Sequence, residues 1–252
     1  MKIIIKTDED IRLIKEAVKI WKKTRNVLIE KCDVGVRLLE LDEIANQTIE
    51  SLGGKSTFLN MYGFPKHLCI SVNDCVIHGI PNDYCLKDGD LVKFDLGVTY
   101  ENHICDAAFN VVIGNNNKAA IKIKDICDSS LVEVTKIIKP GITNIEIAKF
   151  LQNYIESNGY EVLRDFTGHG CGNQLHEDPA FPNYYDSHFP VVKLKENMVF
   201  CLEPMILTDS KEYYIDDNHW NVYSANGLLT CHTEHMFVVT KDGCINLILS
   251  DD

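Results

Sequence analysis

Four acidic residues of this chain lie inside stretches that are mostly apolar and strand-like. They are Asp95 in the run 91–96, Asp106 in the run 104–109, Glu203 in the run 198–205 and Glu234 at the start of the run 234–239. A single acid in such a stretch is often a surface residue on an exposed strand face. Four together favour a cation site, because buried carboxylates need a compensating positive charge. The pattern therefore predicts metal binding by carboxylate oxygens.

Asp95 and Asp106 are expected on the two arms of one hairpin. If Tyr100 and Glu101 form a two-residue turn, residues whose numbers sum to 201 face each other, and the two acids satisfy that sum. Directly opposed side chains have Cβ atoms about 4.5–5.5 Å apart. Two carboxylates at that distance repel each other unless they share a proton or bind a cation. A bulged turn around Asn102 would change this register.

Three histidines lie in local sequences that could expose a reactive imidazole. His169 is flanked by glycines, which allow close backbone approach and leave the ring unobstructed. His176 follows seven residues later, and His78 precedes a turn at 79–82. The glycine pattern at 168–172 is not a dinucleotide loop, because no long helix and no downstream acid accompany it. Each histidine taken singly is more often structural or solvated than catalytic.

The composition of the 252 residues is that of an ordinary globular protein, with 45% hydrophobic and 25% charged residues. A net charge of −12 without a cluster of Lys or Arg argues against a nucleic-acid partner. The ten cysteines form no Cys-x-x-Cys pair, which argues against a zinc knuckle or a redox dithiol. The short apolar start and the lack of an 18-residue apolar run predict a reduced, cytoplasmic protein without a membrane partner.

Apolar periodicity and capping residues divide the chain into helical and strand-like segments. Thr7 is expected to cap a first helix, in which apolar residues follow at helical spacing: Ile11, Ile14, Val18, Trp21 and Leu28. Three further helices are expected at 37–51, 117–138 and 144–157. Strands are expected at 68–72, 90–99, 103–113, 160–166, 198–206, 221–231, 233–240 and 244–249.

A weak internal repeat appears when residues are compared at an offset of 106. Gly35 then aligns with Gly141, the triplet 49–51 with 155–157, and Gly53 with Gly159. The matches could reflect two independent amphipathic helices, or a duplicated helix–helix–sheet unit. The second interpretation predicts an α+β fold and a single domain, 1–252, with halves at about 1–114 and 115–252. A site is then expected in the cleft between the halves.

Taken together, the motifs resemble those of the class I, bacterial-type methionine aminopeptidases. The matching segments occur in the order and spacing of that family over nearly the whole chain: 69–73, 78–81, 89–95, 168–170, 176–179, 203–205 and 234–235. The interval between His176 and Glu203 is too short for the insert of the class II enzymes. The resemblance implies the pita-bread fold, in which two pseudo-symmetric halves share a curved antiparallel sheet with helices on its outer face.

The resemblance also implies a centre with two divalent metal ions. Asp95 would chelate one ion, His169 and Glu203 would bind the other, and Asp106 and Glu234 would bridge both. A site of four carboxylates and one imidazole suits Co, Mn, Fe or Zn. The implied partner is the N-terminus of a peptide or nascent chain, which makes the ribosome a candidate partner of a monomeric enzyme.

The implied reaction is removal of the initiator methionine from proteins whose second residue is small, by attack of a metal-activated water on the scissile carbonyl. By resemblance, Glu203 relays the proton of the water and His176 stabilises the oxyanion. His78 would contact the scissile nitrogen. The residues expected to bind the methionine side chain are Phe58, Met61, Phe64, Cys69, Leu175 and Trp220, although core packing is the simpler interpretation of Phe58.

The chain departs from the family pattern around the ligands. Cys105 and Ala107 flank Asp106, Cys201 replaces a common Thr, and His232 stands where Gln is frequent. These changes bear on metal preference and rate rather than on reaction type.

Three alternatives to this function stay open. They are an X-Pro peptidase of the same fold, a non-catalytic binding module of that fold, and a carboxylate metal-binding protein without hydrolytic activity. The X-Pro peptidases usually carry an additional N-terminal domain, and the binding modules typically lose metal ligands.

Overall fold

The computed structural model describes residues 2–251, apart from the side chain of Asn115. Within these residues the chain forms four α-helices: α1 (Asp8–Lys31), α2 (Leu38–Ser51), α3 (Lys118–Val134) and α4 (Asn144–Ser157). The four helices expected from the sequence are thereby confirmed, with α3 ending four residues early. Short 3-10 helices occupy Met61–Gly63 and Ile113–Asn115. No helix among the described residues has the length and apolar composition that a membrane crossing requires.

Fifteen short strands complete the fold of the described residues. In the first half of the chain they are β1 (Lys55–Ser56), β2 (Cys69–Val72), β3 (Cys75–Ile77), β4 (Leu91–Tyr100) and β5 (His103–Val112). In the second half they are β6 (Glu161–Val162), β7 (Thr167–Gly170), β8 (Glu177–Pro182), β9 (Val199–Leu202), β10 (Met205–Leu207), β11 (Tyr213–Ile215), β12 (Val222–Ser224), β13 (Thr230–His232), β14 (His235–Val239) and β15 (Cys244–Asn246).

All strand pairs between these elements are antiparallel. Strands β1, β2 and β5 assemble around β4, and a five-stranded sheet has the order β15-β14-β9-β7-β8. Two three-stranded sheets, β13-β10-β6 and β11-β12-β3, lie beside them. Ala108 and Glu234 form an antiparallel bridge with two backbone hydrogen bonds of 3.1 Å each. This bridge joins the first sheet to the five-stranded sheet at the point where the acids meet.

Helix α1 holds the hairpin of β4 and β5 against the core. Thr7 and Asp10 form the expected capping box, and the apolar face of the helix is buried. The indole nitrogen of Trp21, which is fully buried, donates hydrogen bonds to the carbonyl oxygens of Leu96 (3.0 Å) and Ala107 (3.2 Å). One helix residue therefore fixes both arms of the hairpin that carries Asp95 and Asp106.

The predicted turn of this hairpin is wrong by one residue, which shifts the pairing register by two residues. Glu101 and Asn102, not Tyr100 and Glu101, form the two-residue turn, with φ angles of 44° and 63°. Both turn residues thus adopt the left-handed conformation that type I′ hairpin turns require. Tyr100 consequently pairs with His103, so Asp106 faces Gly97 and Asp95 faces Ala108. The two acids are diagonal neighbours on one sheet face rather than a directly opposed pair.

Several strand predictions also differ from the structure. The expected strand 198–206 is divided into β9 and β10, because Pro204 has no N–H to donate to a sheet partner. The expected strand 221–231 is divided by a turn into β12 and β13, and the expected strand 160–166 is reduced to β6. Five strands were not predicted: β1, β3, β7, β8 and β11.

The weak internal repeat in the sequence has a counterpart in the structure. Helices α2 and α4 both contain 14 residues, and their first residues, Leu38 and Asn144, are separated by the offset of 106. The glycines at 35, 53, 141 and 159 all have φ between 83° and 93°. These correspondences support a duplicated unit, while the division at about residue 114 stays a prediction.

Candidate metal centre

The five expected ligands line one cleft. Asp95 projects from β4, Asp106 from β5 and His169 from β7, while Glu203 follows β9 and Glu234 precedes β14. One ligand atom from each of Asp106, His169 and Glu234 lies within 4.8 Å of the others. The fold therefore collects five polar side chains from five separate strands or strand ends.

The glycines around His169 have the role that the sequence suggested. A Cβ atom at Gly168 would lie 2.3 Å from the carbonyl oxygen of Cys201, and one at Gly170 would lie 2.7 Å from that of Asp178. Both distances are shorter than real Cβ contacts allow. His169 is therefore part of a closely packed strand and not of a plain exposed turn.

The ring of His169 is oriented as a metal-ligating imidazole. Its Nδ1 lies 3.0 Å from the carbonyl oxygen of Gly170, which can only accept, so Nδ1 carries the proton. Burial lowers the pKa of His169 to about 3, which keeps the ring neutral and leaves a lone pair on Nε2. This atom lies 3.6 Å from a Glu203 oxygen, 3.8 Å from Asp106 and 3.9 Å from Glu234. These distances are too long for hydrogen bonds.

The four carboxylates lack a protein counter-charge. Among the described residues, histidines are the only basic groups within ion-pair distance of Asp106, Glu203 and Glu234, and no basic group lies that close to Asp95. One oxygen each of Asp95, Asp106 and Glu234 is buried without a hydrogen-bond partner. Such orphaned charged atoms are costly in a protein interior. The donor set therefore fits divalent cations, which would supply the missing charge.

The pKa values of these acids reflect the same shortage of positive charge. Burial, followed by repulsion from neighbouring acids, raises the pKa of Asp95, Glu203 and Glu234 well above the usual range. Burial raises the pKa of Asp106 to about 7. A bound cation would reverse these shifts by stabilising the ionised carboxylates.

The remaining predicted residues form the walls of the same cleft, which encloses about 520 Å³ of space including solvent at its mouth. The aromatic ring of Phe64 packs edge-on against Trp220 at a centroid distance of 5.0 Å, and His78 contacts Trp220 at 6.2 Å. His176 packs edge-on against His169 at 4.3 Å. The structure thus brings together every residue expected at the site: the five ligands, His78, His176, Phe58, Met61, Phe64, Cys69, Leu175 and Trp220.

Two further residues lie near the site: Tyr62, which was given no role from the sequence, and His232, which was noted there only as a departure from the family pattern. Tyr62, which is 70% exposed, stacks on the ring of His176 at 5.7 Å, and its hydroxyl lies 3.3 Å from His176 Nδ1. His232 is buried, and its Nε2 lies 3.9 Å from Glu203 and has no hydrogen-bond partner. No sequence pattern marks Tyr62, whose φ of 52° is unusual for a residue other than glycine.

Three of the residues that depart from the family pattern, Cys105, Ala107 and Cys201, lie behind the ligands. Cys105 and Ala107 are fully buried in the apolar core on the opposite face of β5 from Asp106. The thiol of Cys201 lies 3.6 Å from the carbonyl oxygen of Asp106. The altered residues can therefore affect the position of Asp106 although they do not line the cleft.

Comparisons with known proteins agree on one family. The profile of Metallopeptidase family M24 matches residues 12–241. The methionine aminopeptidase of Mycoplasma capricolum is 43% identical over 244 residues, covering 96% of each chain. That of Escherichia coli is 35% identical over 254 residues, covering all of this chain and 96% of its own.

Solved structures extend this agreement to the fold. The crystal structure of methionine aminopeptidase from Rickettsia prowazekii has a TM-score of 0.94 at 30% identity, covering 98% of this chain and all of its own. The prolidase of Pyrococcus furiosus has a TM-score of 0.79 at 25% identity, and the match spans 66% of that longer chain. These neighbours confirm the pita-bread fold expected from the resemblance. The chain therefore belongs to metallopeptidase family M24 and, within it, to the methionine aminopeptidases.

Proposed function

We propose that this protein removes the initiator methionine from proteins whose second residue is small, with two divalent metal ions at its centre. The observation that carries the proposal is the arrangement of the residues that line the cleft. An apolar, sulfur- and aromatic-lined wall lies directly beside four buried carboxylates that lack a counter-charge. A methionine side chain suits such a wall, because thioethers pack well against aromatic rings.

The five ligands divide between the two proposed ions. Asp95 would hold one ion, His169 and Glu203 the other, and Asp106 and Glu234 would contact both. Oxygen-rich ligation with one imidazole suits Co, Mn, Fe or Zn. When bound, such ions lower the pKa of a water molecule and polarise a peptide carbonyl.

The chain itself supplies the proton transfers and the orientation of the substrate. Glu203, whose side chain is 14% exposed, would accept the proton of the attacking water and pass it on. His176 would donate a hydrogen bond to the carbonyl oxygen as negative charge develops there. Because the Tyr62 hydroxyl is close to Nδ1 of His176, Nε2 is the atom left for the substrate. His78, which lies beside Trp220 in the same cleft, would contact the scissile nitrogen.

The methionine side chain would occupy the apolar wall. The proposed contacts are Phe58, Met61, Phe64, Cys69, Leu175 and Trp220. We further propose that the enzyme is a cytoplasmic monomer of one domain with two halves. It would act on nascent chains, with the ribosome as a partner.

The first experiment compares peptides with the metal-free protein and with Mn²⁺, Fe²⁺ or Co²⁺ added. We expect methionine release from Met-Ala-Ser and much slower methionine release from Met-Trp-Ser. We expect no release of the N-terminal alanine from Ala-Pro-Ala. Preference for Ala-Pro-Ala would instead support an X-Pro peptidase. No cleavage with any metal would contradict the enzymatic function.

A further inference from the structure

Lys93 is a buried lysine whose ammonium group has no carboxylate partner among the described residues. Its side chain lies on β4, two residues before Asp95, and only 1% of the residue is exposed. The Nζ atom donates to the carbonyl oxygen of Asn73 at 2.7 Å and to that of Thr230 at 3.2 Å. The Thr230 hydroxyl lies 3.3 Å from Nζ. Three donors of the ammonium therefore meet three neutral oxygens.

The other fully buried lysine shows what is unusual about this arrangement. Lys6 is 2% exposed, and its Nζ lies 2.6 Å and 2.8 Å from the two carboxylate oxygens of Glu177. A buried charge is normally paired in this way, because an isolated ammonium is expensive to desolvate. Lys93 instead occupies a cage of neutral oxygens, the ligand type that binds potassium ions in proteins.

The cage joins three segments that carry residues of the site. Asn73 lies in the turn between β2 and β3, five residues before His78. Thr230 begins β13, four residues before Glu234, and its hydroxyl also lies 3.0 Å from the Asn73 carbonyl oxygen. Lys93 itself shares a face of β4 with Asp95, because alternate strand residues point the same way. The Lys93 ammonium group thus links the three segments that carry His78, Asp95 and Glu234.

We propose that Lys93 is a built-in monovalent cation that fills an oxygen cage and positions the segments bearing His78, Asp95 and Glu234. Shortening this side chain would leave a cage that free potassium or ammonium ions could occupy. The inference does not rest on the proposed function, because it concerns the fold of the metal-free protein.

The experiment measures thermal unfolding of the metal-free wild type, Lys93→Ala and Lys93→Met. Each protein is compared in choline, potassium and ammonium chloride at equal ionic strength. Lys93→Ala opens the cage, whereas Lys93→Met fills it with an uncharged chain of similar length. We expect Lys93→Ala to unfold on the order of 5 °C below the wild type in choline chloride, because buried oxygens lose their donor. Potassium or ammonium chloride should restore at least half of this loss.

The controls separate cage binding from a general salt effect. Lys93→Met should be destabilised to the same extent in all three salts, and the wild type should show no preference for potassium or ammonium over choline. Methionine release by metal-loaded Lys93→Ala should recover in parallel in ammonium chloride, which a merely structural loss would not produce. An equal salt response of Lys93→Ala and Lys93→Met would overturn the proposal. If Lys93→Ala does not fold in any of the three salts, the wild type provides the test. Stabilisation of the wild type by potassium relative to choline would then overturn the proposal, because the cage would still be open to a free ion.

Discussion

Replacing Asp106 by Asn should make the metal-free protein more stable and should reduce the stabilisation that metal gives. Asp106 is 3% exposed, and its Oδ1 has no hydrogen-bond partner. Because burial raises its pKa to about 7, the ionised form destabilises the folded state above pH 7. This penalty is relieved as the pH falls from 7 towards the ordinary value of 3.8. The effect of Asp106→Asn on the metal-free protein is therefore largest at about pH 8.

The expected size follows from the cost of an uncompensated buried charge. Removing it should stabilise the metal-free protein by about 1–3 kcal/mol, or roughly 2–12 °C in unfolding temperature. Metal at 100 times its dissociation constant should stabilise the wild type by about 2.7 kcal/mol. Asp106→Asn, which lacks a bridging ligand, should gain much less. Added Mn²⁺ or Co²⁺ should then narrow the difference between the two proteins, and should reverse their order where the metal-free gain of Asp106→Asn is below about 2.7 kcal/mol.

Differential scanning calorimetry with and without metal measures both effects. Asp42→Asn is a matched control, because Asp42 is also buried, at 5% exposure, but accepts hydrogen bonds from the backbone nitrogens of His67 (2.9 Å) and Leu68 (3.2 Å). Asp42→Asn should change the stability by the same amount with and without metal, because Asp42 lies outside the cleft. If Asp106→Asn behaves like Asp42→Asn, the reasoning about an uncompensated charge is wrong.

Three further predictions concern single residues around the cleft. Glu203→Gln should keep measurable Mn²⁺ binding in equilibrium dialysis but lose at least about 100-fold in methionine release, and unchanged turnover would refute its role as proton acceptor. Burial lowers the pKa of His78 from 6.5 to about 4. Between these pH values the unfolded state binds a proton that the folded state does not, so the free energy of unfolding should decrease as the pH falls from 6.5 to 4. The loss is at most about 3 kcal/mol for this half-buried ring, and urea unfolding of His78→Asn should show a weaker pH dependence. Tyr62→Phe keeps the stacking on His176 but removes the hydroxyl, so kcat should fall about 3–10-fold with KM unchanged; a change in KM alone would contradict this positioning role.

The acids could be predicted from the sequence because charge inside an apolar strand is costly and therefore visible as a local anomaly. Their exact pairing could not. A shift of the turn from Tyr100–Glu101 to Glu101–Asn102 displaced the register by two residues while keeping Asp95 and Asp106 on one face. The prediction of proximity survived because strand periodicity of two preserves the face when the register shifts by two.

The histidines and the strands that carry them were harder to predict. Two of the four residues of β7 are glycines and β8 contains two prolines, and both residue types are depleted in strands. His169 became identifiable only through the family resemblance. Lys93 resembles a surface lysine in the sequence, and its burial depends on Asn73 and Thr230, which are distant along the chain.

The most direct test of the central claim is the number of Mn²⁺ ions bound per chain at saturation, measured by equilibrium dialysis and metal analysis. The proposed centre predicts two ions for the wild type. It predicts fewer for Asp106→Asn and for Glu234→Gln, because each variant loses a ligand shared by both ions. A wild type that binds no ion, or variants that bind as many ions as the wild type, would contradict the assignment of these carboxylates as the metal centre.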